Sequence, residues 1–273
     1  MKKIIMILAL VLTATCLFGV VGCKKGANKD GIVDVTTKTV TVGYTDYAPM
    51  NYEEKGVLKG FDTELALMTF NALGYDVRFK LIEWKNKYVE LESGTIDCIW
   101  NGFTANSSDE GVARSEKVNF TAYYLENNQC VVSKSGNEAT SQEDFVGKSI
   151  AYESGSAGQG YVDGLEGINV YKKGLTSQLD AIMQVNNGTS DYAVVDKTLA
   201  ENYAGKGNYS SLVINEQIAI DIEYYAVGFA KTSAGAALRD KVNVMFEAFE
   251  ETGVLLELAT KYNLQTRLIE IDF

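Results

Sequence analysis

Polar residues follow two matching apolar runs in this chain, at positions where ligand-binding groups are often found. The segments 94–100 (GTIDCIW) and 188–195 (GTSDYAVV) each combine a Gly-Thr turn, an aspartate and an apolar run typical of a buried strand. Asn101 and Gly102 follow the first run, and Asp196 follows the second. Ligands of open α/β sheets bind beyond the carboxyl ends of parallel strands, so the pattern predicts two α/β lobes that share a cleft. Chance is the alternative, because Gly-Thr before a strand is common turn chemistry.

The composition excludes several kinds of catalytic and metal site. The 273 residues include no histidine, which removes the Ser-His-Asp and Cys-His nucleophile arrangements and the common zinc sites. Cys98 and Cys130 are the only cysteines beyond Cys23, and they are either two buried thiols or a disulfide. The net charge of −11 argues against nucleic acid and anionic lipid headgroups as partners. We expect no catalytic residue, no metal and no cofactor.

The amino terminus is typical of an export signal. Lys2 and Lys3 precede an uncharged apolar run over residues 4–21, an order that describes a secretory signal peptide. Cys23 directly follows Gly22, which resembles a bacterial lipobox in which the cysteine is acylated. A single transmembrane anchor is the alternative, since about 18 apolar residues just span a bilayer. Both interpretations place the remaining chain outside the cytoplasmic membrane, and the lipobox predicts a lipid anchor to its outer face.

Alternating and helical patterns predict the elements that position the polar residues. Residues 39–44 and 77–82 are predicted strands, and Asp62 is the predicted N-cap of the helix between them. A helix at 85–91 leads into the first apolar run, and this βαβαβ order favours a mostly parallel sheet. The polar stretch 101–118 is predicted to be a long loop, of a length that is usually functional or mobile.

A second α/β unit is predicted from residue 148 onward. It has a strand at 148–152, a turn at 154–158 and a helix that begins at Ser177 and leads into the second apolar run. A strand at 224–230 and a helical tail follow. In the tail, apolar residues recur on one helix face, namely Leu238, Val242, Met245 and Phe249.

The predicted domain plan separates an export segment from the two lobes. Residues 1–22 are the signal peptide, and residues 23–38 are a polar tether. The first lobe comprises 39–131 and 229–273, and the second lobe comprises 132–228. The chain therefore crosses between the lobes twice, and the helical tail returns to the first lobe.

Short motifs in register along the chain resemble those of one protein family. They are GFDTEL at 60–65, SGTID at 93–97, NGFT at 101–104, GKSI at 147–150 with Gly155 and Ser156, the run 191–196, and Thr252-Gly253. Behind a lipobox, this order resembles the solute-binding proteins of polar amino-acid ABC importers, the bacterial extracellular solute-binding proteins of family 3. The resemblance covers about residues 40–263.

The resemblance implies a type II periplasmic-binding fold. In this α/β fold two lobes, each a mostly parallel sheet flanked by helices, are joined by two crossovers and close on a ligand in the cleft between them. It also implies an extracytoplasmic lipoprotein that captures a free amino acid and delivers it to the permease and ATPase complex of an ABC importer. Such a protein is expected to be a monomer and not an enzyme.

The chemistry of an amino acid sets what such a cleft must contain. The ligand's carboxylate and ammonium lose water on closure, which costs several kcal/mol each if they stay unpaired. A guanidinium fork suits the carboxylate, and an aspartate suits the ammonium. By the resemblance, Arg114 binds the carboxylate and Asp196 binds the ammonium. The alternatives are a solvated loop arginine, because the loop before Arg114 is longer than in the family, and a helix cap at Asp196.

The resemblance assigns further ligand contacts to both lobes. Gly102 would offer its carbonyl, Thr104 its amide and hydroxyl, and the loop at Ser156 its backbone amides. Tyr47 and Trp84 would pack against the ligand side chain. The alternative is a turn glycine for Gly102 and a place in the core for the aromatic rings.

Glu153 stands where the family often places a polar residue against the distal end of the ligand. There it would favour a cationic or amide-bearing ligand side chain over an acidic one. The rival interpretation, a dehydratase-like enzyme on the same scaffold, also depends on Glu153, because it needs a carboxyl of raised pKa as general acid. A ligand-sensing partner of a membrane receptor is a third interpretation. The sequence leaves open which amino acid binds.

Overall fold

A computed structural model describes residues 38–272 of the chain. The predicted signal peptide, Cys23 and all but the last residue of the predicted tether lie outside the described residues. Within residues 38–272, no helix is both long and apolar enough to cross a membrane.

Fifteen strands and eight α-helices make up the described chain. The strands are β1 Lys38–Tyr44, β2 Tyr52–Glu54, β3 Val57–Lys59, β4 Tyr75–Leu81, β5 Cys98–Ile99, β6 Ser108–Asp109, β7 Val112–Ala113, β8 Asn119–Phe120, β9 Leu125–Lys134, β10 Ser149–Glu153, β11 Tyr171–Leu175, β12 Tyr192–Asp196, β13 Leu212–Ile214, β14 Ile222–Tyr225 and β15 Gly228–Phe229. The helices are α1 Phe61–Ala72, α2 Lys87–Glu92, α3 Arg114–Lys117, α4 Ala157–Asp163, α5 Gln178–Asn186, α6 Lys197–Tyr203, α7 Ser233–Glu251 and α8 Val254–Lys261.

The first lobe is built on a five-stranded sheet with the order β4-β1-β5-β15-β8. Strands β1 and β5 run parallel, with Val42 opposite Cys98. Strand β15 runs antiparallel to both of its neighbours, β5 and β8. Helix α1 packs against β4, and helix α7 packs against β8 and β15. The sheet is therefore mixed, with helices covering it.

The second lobe is built on a sheet with the order β11-β10-β12-β9-β13. Strand β10 runs parallel to both β11 and β12, whereas β9 runs antiparallel to β12 and β13. Ser177 begins helix α5 as predicted, because its hydroxyl accepts a hydrogen bond from the Asp180 amide at 3.0 Å. The α/β fold class is confirmed, and this sheet is mixed, since two of its pairings are parallel and two are antiparallel.

Two paired strands carry the chain between the lobes. The beginning of β9 pairs antiparallel with β14, from Leu125 opposite Tyr225 to Asn128 opposite Ile222. The rest of β9 belongs to the second sheet, where it pairs with β12. Strand β15 follows β14 closely and belongs to the first sheet. Side chains on β9 and β14 consequently lie at the junction of the two lobes.

Aromatic rings fill the core between the first sheet and the tail helix. The fully buried Trp100 meets Phe70 and Phe246 edge-on, with ring centroids 5.8 and 5.7 Å apart. Such pairs add about 0.5–1.5 kcal/mol each beyond area burial. Phe246 lies on α7, where Val242 and Met245 of the predicted apolar face are also buried. This packing fixes the strand end that leads from Trp100 into Asn101 and Gly102.

The two cysteines behave as packing residues. Cys98 on β5 and Cys130 on β9 are buried free thiols. Burial raises the pKa of both thiols well above the usual value, which keeps them in the unreactive protonated form. Among residues 38–272, no group of three or more His, Cys, Asp or Glu side chains is placed to hold a metal ion.

Two predictions of local structure are wrong. Gly60, not Asp62, is the N-cap of α1, and the buried Asp62 carboxylate instead accepts hydrogen bonds from the Gly102 amide at 2.6 Å and the Tyr124 hydroxyl at 2.8 Å. The stretch 101–118 is not a plain loop, because it folds into the β6–β7 hairpin and helix α3. The first difference arises from contacts of Asp62 with residues 40 and 62 positions away in sequence, whereas the second arises from short local elements that lack a hydrophobic period.

Candidate functional site

A small cavity lies between the two lobes and brings most of the predicted ligand residues together. Its walls are formed by Trp84, Asn101, Gly102, Thr104, Arg114, Glu153, Ser156, Ala157, Gln178 and Asp196. These include every predicted ligand residue except Tyr47. The cavity offers about 10 Å³ to a water-sized sphere, which is close to the room that one water molecule needs. A ligand as large as an amino acid therefore enters only if the lobes move apart.

The polar groups reach the cavity from strand ends, as the two matching runs predict. Gly102 follows β5 in the first lobe, and Asp196 is the last residue of β12 in the second. Glu153 is the last residue of β10, which lies parallel to β12. The carboxyl ends of the parallel strands thus face the cavity from both lobes.

Arg114 is buried in the cavity wall and is not a solvated loop residue. Only 1% of its surface is exposed, and it opens the short helix α3. Its Nε and Nη2 donate to Oδ1 of Asp109 at 3.0 and 2.9 Å, and Nη1 and Nη2 also donate to the carbonyls of Thr104 and Gly155 at 3.1 and 3.3 Å. These bonds to described residues hold four of the five guanidinium N–H groups. The guanidinium is fixed in place, with one Nη1 hydrogen left for the cavity.

Asp109 anchors the positive charge at this wall. Arg114 lies 2.9 Å from its carboxylate, Lys87 lies 3.2 Å away, and the Tyr88 hydroxyl donates to it at 2.5 Å. Burial alone would raise the pKa of Asp109, but Arg114 and Lys87 outweigh this effect and hold the pKa below its usual value. Asp109 is therefore ionised at neutral pH, and its charge is matched within the protein.

Asp196 is buried and held by amide side chains. Its Oδ1 accepts from Nδ2 of Asn127 at 2.9 Å and from Nε2 of Gln129, and its Oδ2 accepts from Nε2 of Gln178 at 2.5 Å. Burial raises its pKa, whereas the bonds from Gln178 and Gln129 oppose that shift. Asp196 stands at the N-cap position of α6, but its side chain makes no capping bond. The helix-cap alternative does not account for the orientation of this carboxylate.

Glu153 is the cavity residue whose hydrogen bonding is least complete. The residue is 2% exposed, and its buried Oε1 atom has no hydrogen-bond partner among residues 38–272. Burial and, after it, the Asp196 charge raise the pKa of Glu153, while Lys87 and Arg114 oppose the shift, and the resulting pKa is about 8. An unpaired buried carboxyl oxygen is costly, so this position favours a ligand that brings a donor or a positive charge.

Gly102 requires glycine for reasons of space and of backbone conformation. Its φ is +54°, a left-handed conformation that favours glycine. A Cβ atom at this position would lie 2.6 Å from Cε1 of Tyr47. Tyr47 is thus packed behind Gly102, with its hydroxyl 2.6 Å from that of Tyr225. We still predict contact between Tyr47 and a ligand, although the ring does not line the cavity as it stands.

The remaining predicted contacts come from Trp84, Thr104 and Ser156. Trp84 is buried, and its ring meets Phe103 edge-on with centroids 5.2 Å apart. The Thr104 hydroxyl donates to Oε2 of Glu223 at 3.2 Å. Ser156 is the N-cap of α4, where its Oγ accepts from the Gln159 amide at 3.1 Å. All three line the cavity, and their roles toward a ligand remain predictions.

The lobes also touch beside the cavity. Nζ of Lys87 donates to the carbonyl of Gly155 at 2.8 Å, and this carbonyl also accepts from Arg114. Gly155 approaches so closely that a Cβ atom there would lie 2.9 Å from Cα of Lys85. The first lobe therefore holds the loop that carries Glu153 and Ser156 through two cationic donors.

Several residues that shape the site were not predicted from the sequence. Asn127 and Gln129 are two amides at alternate positions of a largely buried strand, and this pattern could have marked them as polar residues facing inward. Gln178 follows the N-cap of α5 and looks like an ordinary first-turn residue. No local sequence pattern marks Lys87 or Glu223 as a site residue, since both are charged residues in segments whose pattern is typical of the protein surface.

Two α/β lobes, joined by two crossing strands and closing on a polar cavity, define the class of type II periplasmic binding proteins. A sequence model of the bacterial extracellular solute-binding proteins, family 3, matches residues 40–265. The chain belongs to this family.

Relatives and solved structures agree with this assignment. The arginine-binding extracellular protein ArtP of Bacillus subtilis is 25% identical over 256 residues, which cover 93% of this chain and 96% of ArtP. A probable amino-acid ABC transporter-binding protein of Haemophilus influenzae is 28% identical over 260 residues, with coverage of 93% and 96%.

Two solved structures share the fold and some sequence. The arginine-, lysine-, histidine-binding protein ArtJ of Geobacillus stearothermophilus has a TM-score of 0.74 at 29% identity and covers 82% of this chain and 95% of that chain. An ABC uptake transporter substrate-binding protein of Streptococcus pneumoniae with bound histidine has a TM-score of 0.72 at 29% identity, with coverage of 82% and 92%.

Proposed function

We propose that this protein captures a cationic amino acid outside the cytoplasmic membrane and delivers it to an ABC importer. The observation that carries the choice of ligand is the buried Glu153 carboxyl, which lines the cavity with one oxygen unpaired among the described residues. A second positive group on the ligand would supply the missing donor and favour the ionised carboxylate.

The charges around the cavity support a ligand with two positive groups. Arg114 offers its remaining N–H to the ligand carboxylate, and Asp109, which Arg114 shares with Lys87, leaves one positive charge for that carboxylate. Asp196 faces the ligand ammonium, and Glu153 faces the ligand side chain. A neutral amino acid would leave Glu153 either protonated or buried without a partner, and both outcomes reduce affinity.

The family relatives point in the same direction. ArtP is named for binding arginine, and ArtJ is named for binding arginine, lysine and histidine. The other contacts follow the family assignment: Gly102, Thr104 and Ser156 bind the backbone of the ligand, and Tyr47 and Trp84 pack against its side chain.

Capture proceeds by closure of the lobes. An amino acid that bridges Arg114 on the first lobe and Asp196 on the second stabilises the closed state, and its preference for that state shifts the open–closed equilibrium. The paired strands β9 and β14 are where the bending would occur, because both pass between the lobes. The lobes would then comprise 39–131 with 229–273, and 132–228.

The protein would work at the outer face of the cytoplasmic membrane. Residues 1–22 would be removed as a signal peptide, Cys23 would carry the lipid, and residues 23–38 would tether a monomeric binding domain. Replacement of Cys23 by serine is expected to release the protein from membranes, as judged by fractionation.

A thermal-shift screen over the natural amino acids tests the choice of ligand. A ligand that binds only the folded state raises the melting temperature, and the shift grows with the logarithm of the ratio of free ligand to Kd. We expect arginine, lysine or histidine to give the largest shift, and glutamate and aspartate to give none. The largest shift for an acidic amino acid would contradict the proposal.

A dehydratase-like enzyme is the second candidate, because the buried Glu153 has its pKa raised to about 8 and could donate a proton as general acid. Prolonged incubation with each ligand, followed by product analysis, separates the two functions. A binding protein returns the amino acid unchanged, and turnover of any ligand would favour the enzyme.

A further inference from the structure

Glu223 is a buried carboxyl that the assignments above do not use. It lies on β14 at the junction of the lobes and is 9% exposed. Its Oε2 accepts three hydrogen bonds, from Oγ1 of Thr104 at 3.2 Å, Nδ2 of Asn127 at 3.2 Å and Nε2 of Gln129 at 2.9 Å. Its hydrogen-bond partners therefore come from the first lobe and from the other crossing strand.

The same two amides also bind Asp196. Asn127 donates from Nδ2 to Oδ1 of Asp196 at 2.9 Å, and Gln129 donates from Nε2 to the same oxygen. Each side-chain amide has two hydrogens, so each gives one to Asp196 and one to Glu223. The two carboxyl groups are thus bridged twice and lie close together in a buried site.

Two buried carboxyls at this separation do not ionise independently. The first charge disfavours the second, and only a nearby cation relieves the repulsion. The titratable groups that face Glu223 are Asp196 on β12, Arg114 on α3 and Tyr225 on β14, and the Tyr225 hydroxyl in turn lies against that of Tyr47. Arg114 is the cation among them, and its guanidinium is already bound to Asp109.

Burial and, after it, the charge on Asp196 raise the pKa of Glu223, while the bonds from Gln129 and Asn127 and the Arg114 charge oppose the shift, and the resulting pKa is about 7. At neutral pH the carboxyl is therefore close to half protonated. Glu223 can respond to any charge that enters the site.

We propose that Glu223 is a positioning residue of the ammonium pocket that shares the amide donors of Asp196 and releases a proton to solvent when a cationic ligand binds. The proposal rests on the function proposed above. The incoming ammonium at Asp196 places a positive charge beside the bridged pair, which stabilises the ionised form of both carboxyls. The proton of Glu223 then leaves to buffer, while the Thr104, Asn127 and Gln129 bonds keep the ionised oxygen in place.

The sign of the pH dependence follows from proton linkage. The ligand-bound state holds fewer protons than the free state, so affinity rises with pH until Glu223 is ionised in the free protein. Binding is expected to be weaker at pH 6 than at pH 8, and part of that difference belongs to Glu223. Acidification would therefore favour release of the amino acid.

The test uses calorimetry with L-arginine as the probe, in buffers of different ionisation enthalpy at pH 6.5. Protons released on binding are measured for the wild type, for Glu223→Gln and for the control Glu216→Gln, whose side chain is 66% exposed and pairs with Lys197. We expect Glu223→Gln to release fewer protons than the wild type by up to about three-quarters of a proton, the share of Glu223 that is still protonated at pH 6.5. The control is expected to match the wild type.

Equal proton release by Glu223→Gln and the wild type, with the same pH dependence of affinity, would overturn the proposal. If the wild type binds no amino acid, the proposed function fails instead, and a ligand-free readout still tests the carboxyl. Because the folded pKa of Glu223 lies above the unfolded one, ionisation of Glu223 costs the wild type stability as pH rises from 5 to 8, and Glu223→Gln lacks this part of the loss. A melting-temperature difference between the two that does not change with pH would also count against Glu223.

Discussion

The two charged halves of the cavity differ in how their charges are satisfied. The basic group, Arg114 with Lys87 and Asp109, is paired within the protein, with ion-pair distances of 2.9 and 3.2 Å. In the acidic group, Asp196 and Glu223 are held by amide donors, Glu153 has one oxygen without a partner, and none of the three forms an ion pair among the described residues.

The pKa values of the carboxyls in the two groups differ accordingly. The pKa of Asp109 is lowered despite burial, because Arg114 and Lys87 lie beside it. Burial and mutual repulsion raise the pKa of Glu153 to about 8 and that of Glu223 to about 7. The basic group has a counter-ion of its own, Asp109, before a ligand arrives, whereas the acidic group gains its counter-charge from the ligand. The acidic group is therefore the part of the site that distinguishes ligands by their charge.

Removal of the guanidinium should have the largest effect. Arg114→Ala deletes the carboxylate partner and leaves Asp109 with Lys87 alone, so we expect arginine binding to weaken at least tenfold, about 1.4 kcal/mol or more. Calorimetry on this variant and on the control Arg78→Ala, an exposed arginine of β4, measures the effect. Unchanged affinity in Arg114→Ala would remove that residue from the site.

Loss of the ammonium partner tests the acidic group directly. Asp196→Ala removes the carboxylate that faces the ligand ammonium, and we expect at least a tenfold loss of affinity, about 1.4 kcal/mol. The exposed Asp76 of β4 provides the matched control, Asp76→Ala. An Asp196→Ala protein that binds arginine as tightly as the control would contradict the proposed difference between the basic and the acidic group.

Glu153→Gln should change selectivity more than it changes overall affinity. The amide keeps the shape of the side chain but removes the charge, so arginine binding should weaken by roughly tenfold while glutamine binding changes little. Competition between labelled arginine and unlabelled glutamine measures the ratio. Equal losses of affinity for arginine and glutamine would show that Glu153 does not distinguish ligands by their charge.

The smallest effect is expected at the contact between the lobes. Lys87→Met removes the donor to the Gly155 carbonyl across the lobes, and one net hydrogen bond of about 1 kcal/mol corresponds to roughly a fivefold loss of affinity. The ion pair of Lys87 with Asp109 lies within the first lobe, so its loss acts on the open and the closed state alike. The change should appear mainly in the dissociation rate, measured by stopped flow. Lys85→Met is the control, because Lys85 is 55% exposed in the same segment. A faster dissociation rate in both variants would argue against a role specific to Lys87.

Much of the secondary structure around the site was predictable because local sequence patterns specify it. The helix–turn–strand pattern placed Gly102 and Asp196 at strand ends, and the cap at Ser177 marked the start of α5. Arg114 was a harder case, since the hairpin β6–β7 in the preceding segment brings Asp109 to the guanidinium, and no local pattern shows that pairing.

The acidic group could not be predicted as a unit. Its bridges join Asn127 and Gln129 on one crossing strand to Asp196 and Glu223, over separations of 67 to 96 residues in sequence. Contacts of this kind depend on how the two crossing strands pair, which the hydrophobic pattern does not specify. Sequence patterns therefore identified the ends of the strands but not which polar side chains share donors there.

The affinity ratio of L-arginine to L-citrulline in the wild-type protein tests the central claim most directly. Citrulline has nearly the same shape as arginine but an uncharged side chain, so the comparison isolates ligand charge. If the acidic group takes its counter-charge from the ligand, arginine should bind at least tenfold more tightly, about 1.4 kcal/mol. Citrulline binding that equals or exceeds arginine binding would contradict the account.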